Sequence, residues 1–541
     1  MRVSEAHATE AGRSPRLDGR FSVGDRLPGS RALPAVVVVA LAGLGLALRL
    51  AVADQSVFGD ELSTYWIVST NGLGGVVSTV HSDAEITPPL YFMAAWATTR
   101  IDLTPELLRA PSLLAGTAAI PLTYLLGLRT VGRSAALVAA TLTALSPFMI
   151  FYSAEARGYA LAIALVLLST LALVAAVDDR RLRWWVLYGA STCGAFYTHY
   201  TVVFPFAVQL LWLLWFHPEA RKAALLANLG AAFAFLPWLS GLTNDLSSPT
   251  TEILSELSPF DFRTVRISLE HWSIGYPYSS PFAPHTALRH MPGVVALVLL
   301  GMGVALAVVG LASTRFRESH VFRLARLDRR VVLIVALALS APIGEALVSA
   351  LGTNLFGTRN LAVSWPGFAL SLAALLVAAG PRLRFATVVL AIGAFAIGAG
   401  KMLESQYERP DYEAVGALID REASSGDVVV DAAAVLVTPG PLSGLDVALE
   451  RAHRVFRIGV PQQRDHPFND DDPILRTDEV MHQAASAAAG RRIFLVSSGT
   501  RFFVPLIEQA IGALPGRYQR VEARTYAGLV VWVMADRASR G

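Results

Sequence analysis

Eleven apolar stretches of 16 to 23 residues occupy much of the first 400 residues, and polar segments separate them. A helix needs about 20 apolar residues to cross a bilayer, so each stretch is predicted to be a transmembrane helix. Two of them, each about 16 residues long, must turn near His199 and Tyr200. The predicted spans cover residues 33–53, 107–128, 134–152, 158–177, 184–200, 201–216, 222–240, 291–313, 331–352, 361–379 and 383–401.

Charge sorts the segments between these spans into two sets. Positive charge collects in alternate short loops and in the leader before residue 33, and the positive-inside rule assigns this set to the cytoplasm. The short segment Pro89–Ala97 is predicted to lie along the membrane surface, because a span there would invert every later loop. The basic loops are 129–133, 180–183, 221–222, 315–330 and 382–384; residues 54–106, 152–157, 198–200, 241–290, 353–360 and everything after 401 are predicted to face outward.

The two ends of the chain differ from the apolar middle. Residues 1–32 are rich in Arg, Gly, Ser and Pro and are predicted to form a disordered cytoplasmic leader. The apolar run that follows is too long for a signal-peptide core, so it is interpreted as an uncleaved span. Residues 402–541 have a mixed composition with short continuous apolar runs, typical of strands covered on both faces. We expect a small extracytoplasmic α/β domain with a helix over 411–423 and strands at 427–433, 454–460, 492–498 and 529–534.

Composition agrees with a membrane protein. The 541 residues are 54% hydrophobic and only 16% charged, with a mean hydropathy of +0.49, whereas about a quarter of a soluble protein is charged. The net charge of +3 is dispersed over loops, so nucleic acid is not expected as a partner. The single cysteine, Cys193, excludes an intrachain disulfide and a Cys-X-X-Cys site.

The acidic pair Asp60-Glu61 follows the first span, and no lysine or arginine occurs between Asp54 and Thr99. Ionisable residues at a membrane protein's outer surface are candidates for function, and a carboxylate there is suited to general-base catalysis. The alternative is that one of the pair caps an interfacial helix starting at Leu62.

Three other outward turns carry candidate chemistry. Glu155 and Arg157 lie close together between two spans, where they are suited to holding a phosphate or a cation, or to a plain helix-end ion pair. Thr198-His199-Tyr200 is either a polar anchor or a binding element. Arg359 is the only positive charge in the segment 353–360, and a guanidinium can grip a lipid phosphate with two hydrogen bonds.

The alternating residues His81, Asp83 and Glu85 resemble a metal-binding pattern. Alternate residues are set apart along an extended chain, however, so a polar loop is the favoured interpretation. No metal site is predicted.

Taken together, these motifs resemble a known family, the C-type-fold membrane glycosyltransferases that use polyprenyl-phosphate sugars, including protein O-mannosyltransferases and aminoarabinose transferases. The resemblance covers roughly residues 33–415. One departure is Asn360, where the family usually has tyrosine after the arginine. The motifs, in order, are Phe58–Glu61, Glu85–Tyr91, Arg109, Tyr152–Tyr159, Thr198–Tyr200, and Arg359 with Pro366.

The resemblance implies an enzyme that transfers a sugar to an acceptor hydroxyl at the outer face of the membrane. Asp60 would be the general base of a single inverting displacement, with Glu61 and Glu155 orienting the base or the sugar. It implies further that the donor is bound by Arg157, Tyr159, His199, Tyr200 and Arg359. His81, Asp83, Glu85, Tyr91 and Arg109 are additional site candidates, and this group of enzymes is expected to work without a cofactor or divalent cation.

The expected partners are a polyprenyl-phosphate sugar, membrane lipid, and a glycan, lipid or protein acceptor. A composition rich in Ala, Val, Arg and Gly indicates a bacterial source, so a bacterial plasma membrane is the expected location. Together with the resemblance, it suggests mannose or an arabinose-like sugar. Two alternatives remain open. A glycan polymerase or ligase would depend on arginines in a large outer loop, and a transporter would place ionisable residues within spans, where Glu345 is the main example.

Overall fold

The computed structural model describes residues 32–248, 259–277, 286–318, 328–433, 442–458, 477–499 and 503–537. The predicted leader, 1–32, therefore lies almost entirely outside the described residues, as do parts of the predicted outer loop 241–290. Within the described ranges, the first 400 residues are helical and the C-terminal part contains a sheet.

Each of the eleven predicted spans coincides with a helix or a pair of helices. In the described part of the chain, eight helices are long and apolar enough to cross a membrane. A ninth span is formed if the helices Arg133–Leu145 and Pro147–Ser153, which are bent by 58° relative to each other, count as one. The two remaining predicted spans are shorter: Leu182–Phe196 has 15 residues, and the next apolar helix is Tyr200–Phe216. The chain is a multi-pass membrane protein.

The helices of the membrane part fall into long spans and short connecting helices. The segment predicted to lie on the membrane surface forms a helix of only nine residues, Leu90–Thr98. The helices are α1 Ala32–Leu50, α2 Asp60–Thr70, α3 Leu73–Thr79, α4 Leu90–Thr98, α5 Pro105–Thr130, α6 Arg133–Leu145, α7 Pro147–Ser153, α8 Tyr159–Asp179, α9 Leu182–Phe196, α10 Val203–Phe216, α11 Arg221–Phe235, α12 Leu239–Leu246, α13 Phe262–Ser273, α14 Val294–Glu318, α15 Arg329–Ala350, α16 Trp365–Val377 and α17 Arg384–Lys401.

Helices α5 and α8 lie at the centre of the membrane part, and more than half of each is buried by neighbouring helices. Small residues allow the helices of the membrane part to pack closely. A Cβ on Gly127 of α5 would lie 2.7 Å from the Cβ of Ala136 on α6, and one on Gly367 of α16 would lie 2.5 Å from the backbone N of Ala338 on α15. Tight helix contacts through small residues are typical of membrane bundles.

The basic ends of several spans meet at the side of the membrane part opposite the candidate site residues. The guanidinium of Arg330 donates to the carbonyl of Arg129 at 2.7 Å and to Asp178 at 2.6 Å. Arg329 donates to the carbonyl of Phe216 at 3.2 Å. These contacts bring the ends of α5, α8, α10 and the start of α15 together at one end of the bundle.

The C-terminal part contains five strands, β1 Val428–Asp431, β2 Arg454–Arg457, β3 Ile493–Ser498, β4 Tyr518–Tyr526 and β5 Leu529–Asp536. They form one sheet in the order β2-β1-β3-β5-β4. Strand β1 is parallel to β2 and β3, and β5 is antiparallel to β3 and β4. Helices cover both faces, as the apolar strands predicted. The helices are α18 Tyr412–Glu422, α19 Gly444–Ala448, α20 Thr477–Ala488 and α21 Val504–Ala513.

Four of these strands were predicted, but β4 was missed. Its residues alternate between partly buried and exposed, and it carries Arg520, Glu522 and Arg524. It pairs only with β5 and forms an edge of the sheet. Charged residues on an exposed edge strand discourage pairing with other chains, and they also remove the apolar run that identifies a strand in sequence.

Candidate active site

Four polar turns meet at the end of the bundle that carries the C-terminal domain. They are the entry to α2, the turn between α7 and α8, the turn between α9 and α10, and the segment before α16. The residues predicted from sequence at Asp60, Glu155, His199 and Arg359 occupy these four turns in that order. The structure therefore brings together segments that are up to 299 residues apart in sequence.

The first turn of α2 sets the positions of Asp60 and Glu61. Gly59, the residue before the helix, has φ +60°, a conformation that favours glycine, and Asp60 begins the helix directly after it. The helix begins at Asp60 and not at Leu62, so the N-cap position belongs to Gly59 and both carboxylates lie within the first turn. The capping alternative is thus not what the side chains do, and each carboxylate contacts an arginine instead.

Glu61 is a fully buried joint between three segments. Its carboxylate accepts two hydrogen bonds from Arg109, from Nε at 2.8 Å and Nη2 at 2.7 Å, and one from the backbone N–H of Ala156 at 2.6 Å. Arg409 forms a further ion pair with it. Burial alone would raise the pKa of Glu61, but the two arginines outweigh burial and lower it to about 2.

Arg109 extends this joint into the turn that precedes α2. It is fully buried and, besides Glu61, donates to the carbonyls of Ala53 at 2.7 Å, Gln55 at 2.5 Å and Ser56 at 3.1 Å. All five N–H groups of the guanidinium thereby donate hydrogen bonds inside the protein. Arg109 and Glu61 therefore hold the backbone that presents Asp60.

Glu85 and Arg157 form a second buried pair. The guanidinium donates to both carboxylate oxygens, at 2.6 and 2.8 Å, and the hydroxyl of Ser63 donates to Oε1 of Glu85. Arg157 thus pairs with Glu85 and not with Glu155, its neighbour in sequence, which corrects the helix-end pair considered above. The two partners are 72 residues apart, so the pairing has no local signal.

Asp60 and Arg359 form an ion pair of a different kind. Nη1 of Arg359 lies 2.7 Å from Oδ2 of Asp60, and the two side chains remain 37% and 35% exposed. The pair is accessible, unlike the pairs of Glu61 and Glu85. Of these three carboxylates, Asp60 is the one that a bound molecule can reach.

Glu155 lies beside this accessible pair without an arginine of its own. Its Oε2 is buried and accepts no hydrogen bond from the described residues. Burial raises the pKa of Glu155 to about 8, and the charges of Glu61 and Asp60 act in the same direction. Near neutral pH the carboxyl group is therefore mostly protonated and can donate a hydrogen bond.

His199 is buried and neutral. Its Nδ1 accepts from the backbone N–H of Thr201 at 3.3 Å, which leaves the proton of the neutral ring on Nε2. Burial, with the charges of Arg157 and Arg359, lowers the pKa of His199 to about 3. The ring lies 5.2 Å from that of Tyr159, so both side chains belong to the same cluster as the two arginines.

The turns of Arg157 and His199 close directly on each other. A Cβ on Gly158 would lie 3.0 Å from the carbonyl oxygen of Thr198, so a larger residue would force the turns apart. The carbonyl of Tyr197, one residue earlier, accepts from the N–H of Leu90 at 2.9 Å, which ties α4 to the same place.

The remaining predicted residues lie at the margins. The hydroxyl of Tyr91 donates to the carbonyl of Leu108 at 3.1 Å and supports α5 beneath the site. Tyr200 directs its hydroxyl to Asp245 and accepts from Nε1 of Trp238 at 3.0 Å, so the structure does not place it against the arginines.

His81 contacts Ser240 at 3.0 Å, whereas Glu85 pairs with Arg157. The side chain of Asp83 lies outside the described part.

No group of three or more His, Cys, Asp or Glu side chains suited to a metal ion occurs among the described residues. Asp60 and Glu155 are the two carboxylates nearest to an accessible surface in this cluster. Glu345, the carboxylate within a span, is fully buried and accepts a long hydrogen bond, 3.5 Å, from the N–H of Gly357. It therefore contacts the segment that carries Arg359.

Sequence reasoning missed Arg409. This residue follows the last membrane helix and reaches Glu61 and the carbonyl of Ala154. Arg409 lies in a short polar segment with Glu404 and Glu408, so the sequence contains no pattern that distinguishes its role. Only the fold shows that it enters the site.

Part of the chain matches a known protein family. Residues 87–240 match the family described as dolichyl-phosphate-mannose-protein mannosyltransferase. The matched range includes Arg109, Glu155, Arg157 and His199. No curated protein matches the chain.

Among solved structures, the chain is similar to the oligosaccharyltransferase of Archaeoglobus fulgidus tethered with an acceptor peptide. The TM-score is 0.50 at 12% identity, covering 93% of this chain and 74% of that one. ArnT from Cupriavidus metallidurans has a TM-score of 0.45 at 12% identity, with 93% and 98% covered. The mycobacterial arabinofuranosyltransferase AftD has 0.40 at 14%, with 92% and 41% covered. The resemblance to membrane glycosyltransferases and the C-type fold predicted from sequence are confirmed.

Proposed function

We propose that this protein transfers a sugar from a polyprenyl-phosphate donor to an acceptor hydroxyl, with Asp60 as the general base. The observation that carries the proposal is the accessible Asp60–Arg359 pair beside Arg157, His199 and Tyr159. A base and a set of phosphate-binding donors lie side by side, which is what a single displacement at a lipid-phosphate sugar requires. The family match over 87–240, whose name includes dolichyl-phosphate-mannose, supports the same class of donor.

In the proposed reaction, Asp60 removes the proton of the acceptor hydroxyl as its oxygen attacks the anomeric carbon. The bond from that carbon to the phosphate oxygen breaks, and the electron pair leaves with the lipid phosphate. Arg359, the remaining N–H groups of Arg157 and the Nε2–H of His199 stabilise the charge that develops there. One displacement inverts the configuration of the sugar.

Glu155 supports the choice of Asp60 as the base. The pKa of Glu155 is raised to about 8, mainly by burial, so Glu155 is mostly neutral near pH 7. Asp60, by contrast, forms an ion pair with Arg359. A neutral Glu155 leaves one carboxylate to accept the proton, and it is suited to donating a hydrogen bond to a sugar hydroxyl. A carboxyl group kept neutral by burial beside an ion-paired carboxylate is typical of acid–base sites.

We further propose that transfer takes place on the outer face of a bacterial plasma membrane. The basic ends at Arg129, Arg329 and Arg330 lie at the end of the bundle opposite the site, and the positive-inside rule assigns that end to the cytoplasm. The N-terminus is then cytoplasmic and the C-terminal domain extracytoplasmic. The sugar proposed is mannose or an arabinose-like pentose, the acceptor is a glycan, lipid or protein hydroxyl, and no cofactor or metal is required.

The test is transfer by the purified protein and by Asp60→Asn. Radiolabelled polyprenyl-phosphate mannose and arabinose are offered with membrane-extracted acceptors, with and without a chelator. Asp60→Asn is expected to lower transfer by about 10²- to 10⁴-fold, the usual contribution of a general base, without changing thermal stability. The matched control is Asp102→Asn, an exposed carboxylate before α5, which should transfer normally.

Normal transfer by Asp60→Asn would refute the assigned base. If neither sugar is transferred but a lipid-linked glycan is lengthened or moved across vesicles, the polymerase or transporter alternative replaces the proposal. Loss of transfer on chelation, restored by a divalent cation, would refute metal independence.

A further inference from the structure

Arg409 connects the C-terminal domain to both acidic segments of the site. Its side chain is only 9% exposed and forms an ion pair with Glu61. Its Nη2 donates to the carbonyl of Ala154 at 3.1 Å, and its guanidinium carbon lies 5.5 Å from the centre of the Phe151 ring. One side chain therefore touches the segment that carries Asp60 and the segment that carries Glu155.

The backbone around Arg409 docks on the same turn as its side chain. The N–H of Arg409 donates to Oε1 of Gln55 at 3.2 Å, and the N–H of Glu413 donates to the hydroxyl of Ser56 at 3.1 Å. Phe58 stacks on Tyr412, with ring centres 6.5 Å apart. The turn that leads into α2 is thus held by Arg109 from the membrane part and by residues 409–413 from the start of the C-terminal domain.

We propose that Arg409 is a positioning residue, through which docking of the C-terminal domain sets the geometry of Asp60 and Glu155. Arg409 does not touch the reacting atoms and acts through Glu61 and the Ala154 carbonyl. The C-terminal domain is then part of the active enzyme and not an appended module. This inference deepens the proposed function and rests on it for its kinetic test.

The position of Arg409 has an electrostatic consequence for Glu155. Its positive charge lowers the pKa of Glu155 against the effect of burial, so the pKa must rise when the charge is removed. The other charged or titratable groups that face Glu155 are Asp60, Glu61, Arg109, Tyr152, Arg157 and Tyr159.

The experiment compares full-length Arg409→Gln with the wild-type protein. The variant should lower kcat by roughly 10- to 100-fold, the scale expected for a base displaced by about 1 Å, with a small change in KM for the donor. The alkaline limit of transfer, set by ionisation of Glu155, should move to higher pH. A merely structural role would lower the amount of active protein without moving this limit.

Two variants serve as controls. Arg409→Lys keeps the charge but loses the forked geometry, so it should keep the wild-type pH limit while kcat falls. Arg421→Gln removes an arginine that is 67% exposed on the neighbouring helix α18 and should behave as the wild type. If Arg409→Gln does not fold, Arg409→Lys decides: an unchanged kcat overturns the inference, and a kcat that is reduced per folded protein, at the wild-type melting temperature and pH limit, supports it.

Chemical rescue and infrared spectroscopy give readouts of their own. Arg409→Ala would vacate the buried space that the guanidinium of Arg409 fills, so millimolar guanidinium should restore transfer by this variant, whereas sodium chloride at equal ionic strength should not. The carboxylic acid band lost in Glu155→Gln should titrate at higher pH in Arg409→Gln, even in a preparation that transfers no sugar. A shifted band in Arg409→Gln, in a protein that transfers no sugar in any form, would support the inference and refute the proposed function. An unshifted band together with an unshifted pH limit would overturn the inference.

Discussion

Asp60 and Glu61 are adjacent in sequence but lie in opposite environments. Glu61 is fully buried and accepts from two arginines and a backbone N–H, whereas Asp60 is 35% exposed and, among the described residues, pairs only with Arg359. Successive residues of a helix point about 100° apart, so one acidic pair supplies an inner face and an outer face. The inner carboxylate builds the site and the outer one remains available for chemistry.

The same division applies to the two arginines of the donor-binding cluster. Arg157 is buried and joined to Glu85 by two hydrogen bonds, whereas Arg359 is 37% exposed and makes one contact with Asp60. Arg157 is therefore held in place before any ligand binds, while Arg359 is able to exchange Asp60 for a phosphate. A rigid inner layer beneath a more adaptable outer layer is what preorganised catalysis requires.

The largest effect is expected from breaking the inner layer. Glu61→Gln leaves the charges of Arg109 and Arg409 without a carboxylate, and removing one partner of a buried pair typically costs about 3–5 kcal/mol. We expect a large loss of thermal stability in detergent, with transfer lost as the protein unfolds. By contrast, Asp60→Asn should lose transfer and keep its stability.

The control for Glu61→Gln is Glu422→Gln, which breaks a partly exposed pair with Arg524 on the C-terminal domain and should cost no more than about 1 kcal/mol. If Glu61→Gln melts at the wild-type temperature, the inner layer is not the support described above.

The pH dependence of transfer should separate Glu155 from its acidic neighbours. Burial raises the pKa of Glu155 to about 8, so raising the pH through 8 ionises it and places a second negative charge beside Asp60 and the donor phosphate. Transfer should therefore fall at alkaline pH, and this fall should be absent in Glu155→Gln. An alkaline fall of the same midpoint in both proteins would assign it to another group.

Stability should respond to pH in opposite ways at Glu61 and Glu155. The pKa of Glu61 is lowered to about 2, so its contribution is present above the unfolded value of 4.5 and is lost as pH falls towards 2. The pKa of Glu155 is raised, so its contribution is present below 4.5 and is lost as pH rises towards 8. Melting temperatures between pH 5 and 8 should fall less steeply in Glu155→Gln than in the wild type, and equal slopes would contradict the assignment.

Much of the fold was predictable because each span has a local cause. An apolar run of about 20 residues must be helical in a bilayer, where every backbone polar group needs an internal partner. The outer turns that carry Asp60, Glu155, His199 and Arg359 also have a local signal, because ionisable residues stand out between apolar spans. The length of each helix was less predictable, as the 15 residues of Leu182–Phe196 show.

The partners within the site were not predictable. Arg157 pairs with Glu85 across 72 residues, and Arg409 reaches Glu61 across 348 residues. These choices depend on how the turns pack, which the apolar pattern of each helix does not record. The sequence also does not show which of Asp60 and Glu61 is buried, because the two carboxylates look alike there. The position of Arg109 decides it.

The smallest effect is expected at Tyr200, which the resemblance implied as a donor contact. Its hydroxyl lies against Asp245 and Trp238, whereas His199, one residue earlier, lies against Tyr159 within the cluster of Arg157 and Arg359. Tyr200→Phe should cost about 0.5–1.5 kcal/mol of stability, the usual net value of one hydrogen bond, and leave transfer within roughly threefold of the wild type.

His199→Ala is the matched comparison, since it removes the Nε2–H that is proposed to contact the phosphate. It should lower kcat/KM for the donor by roughly tenfold or more, as the loss of a hydrogen bond to a charged group of about 1.5–3 kcal/mol implies. The measurement is initial transfer rate against donor concentration for both variants. If Tyr200→Phe loses as much as His199→Ala, the hydroxyl leaves Asp245 when the donor binds, and the boundary of the site must include the start of α10.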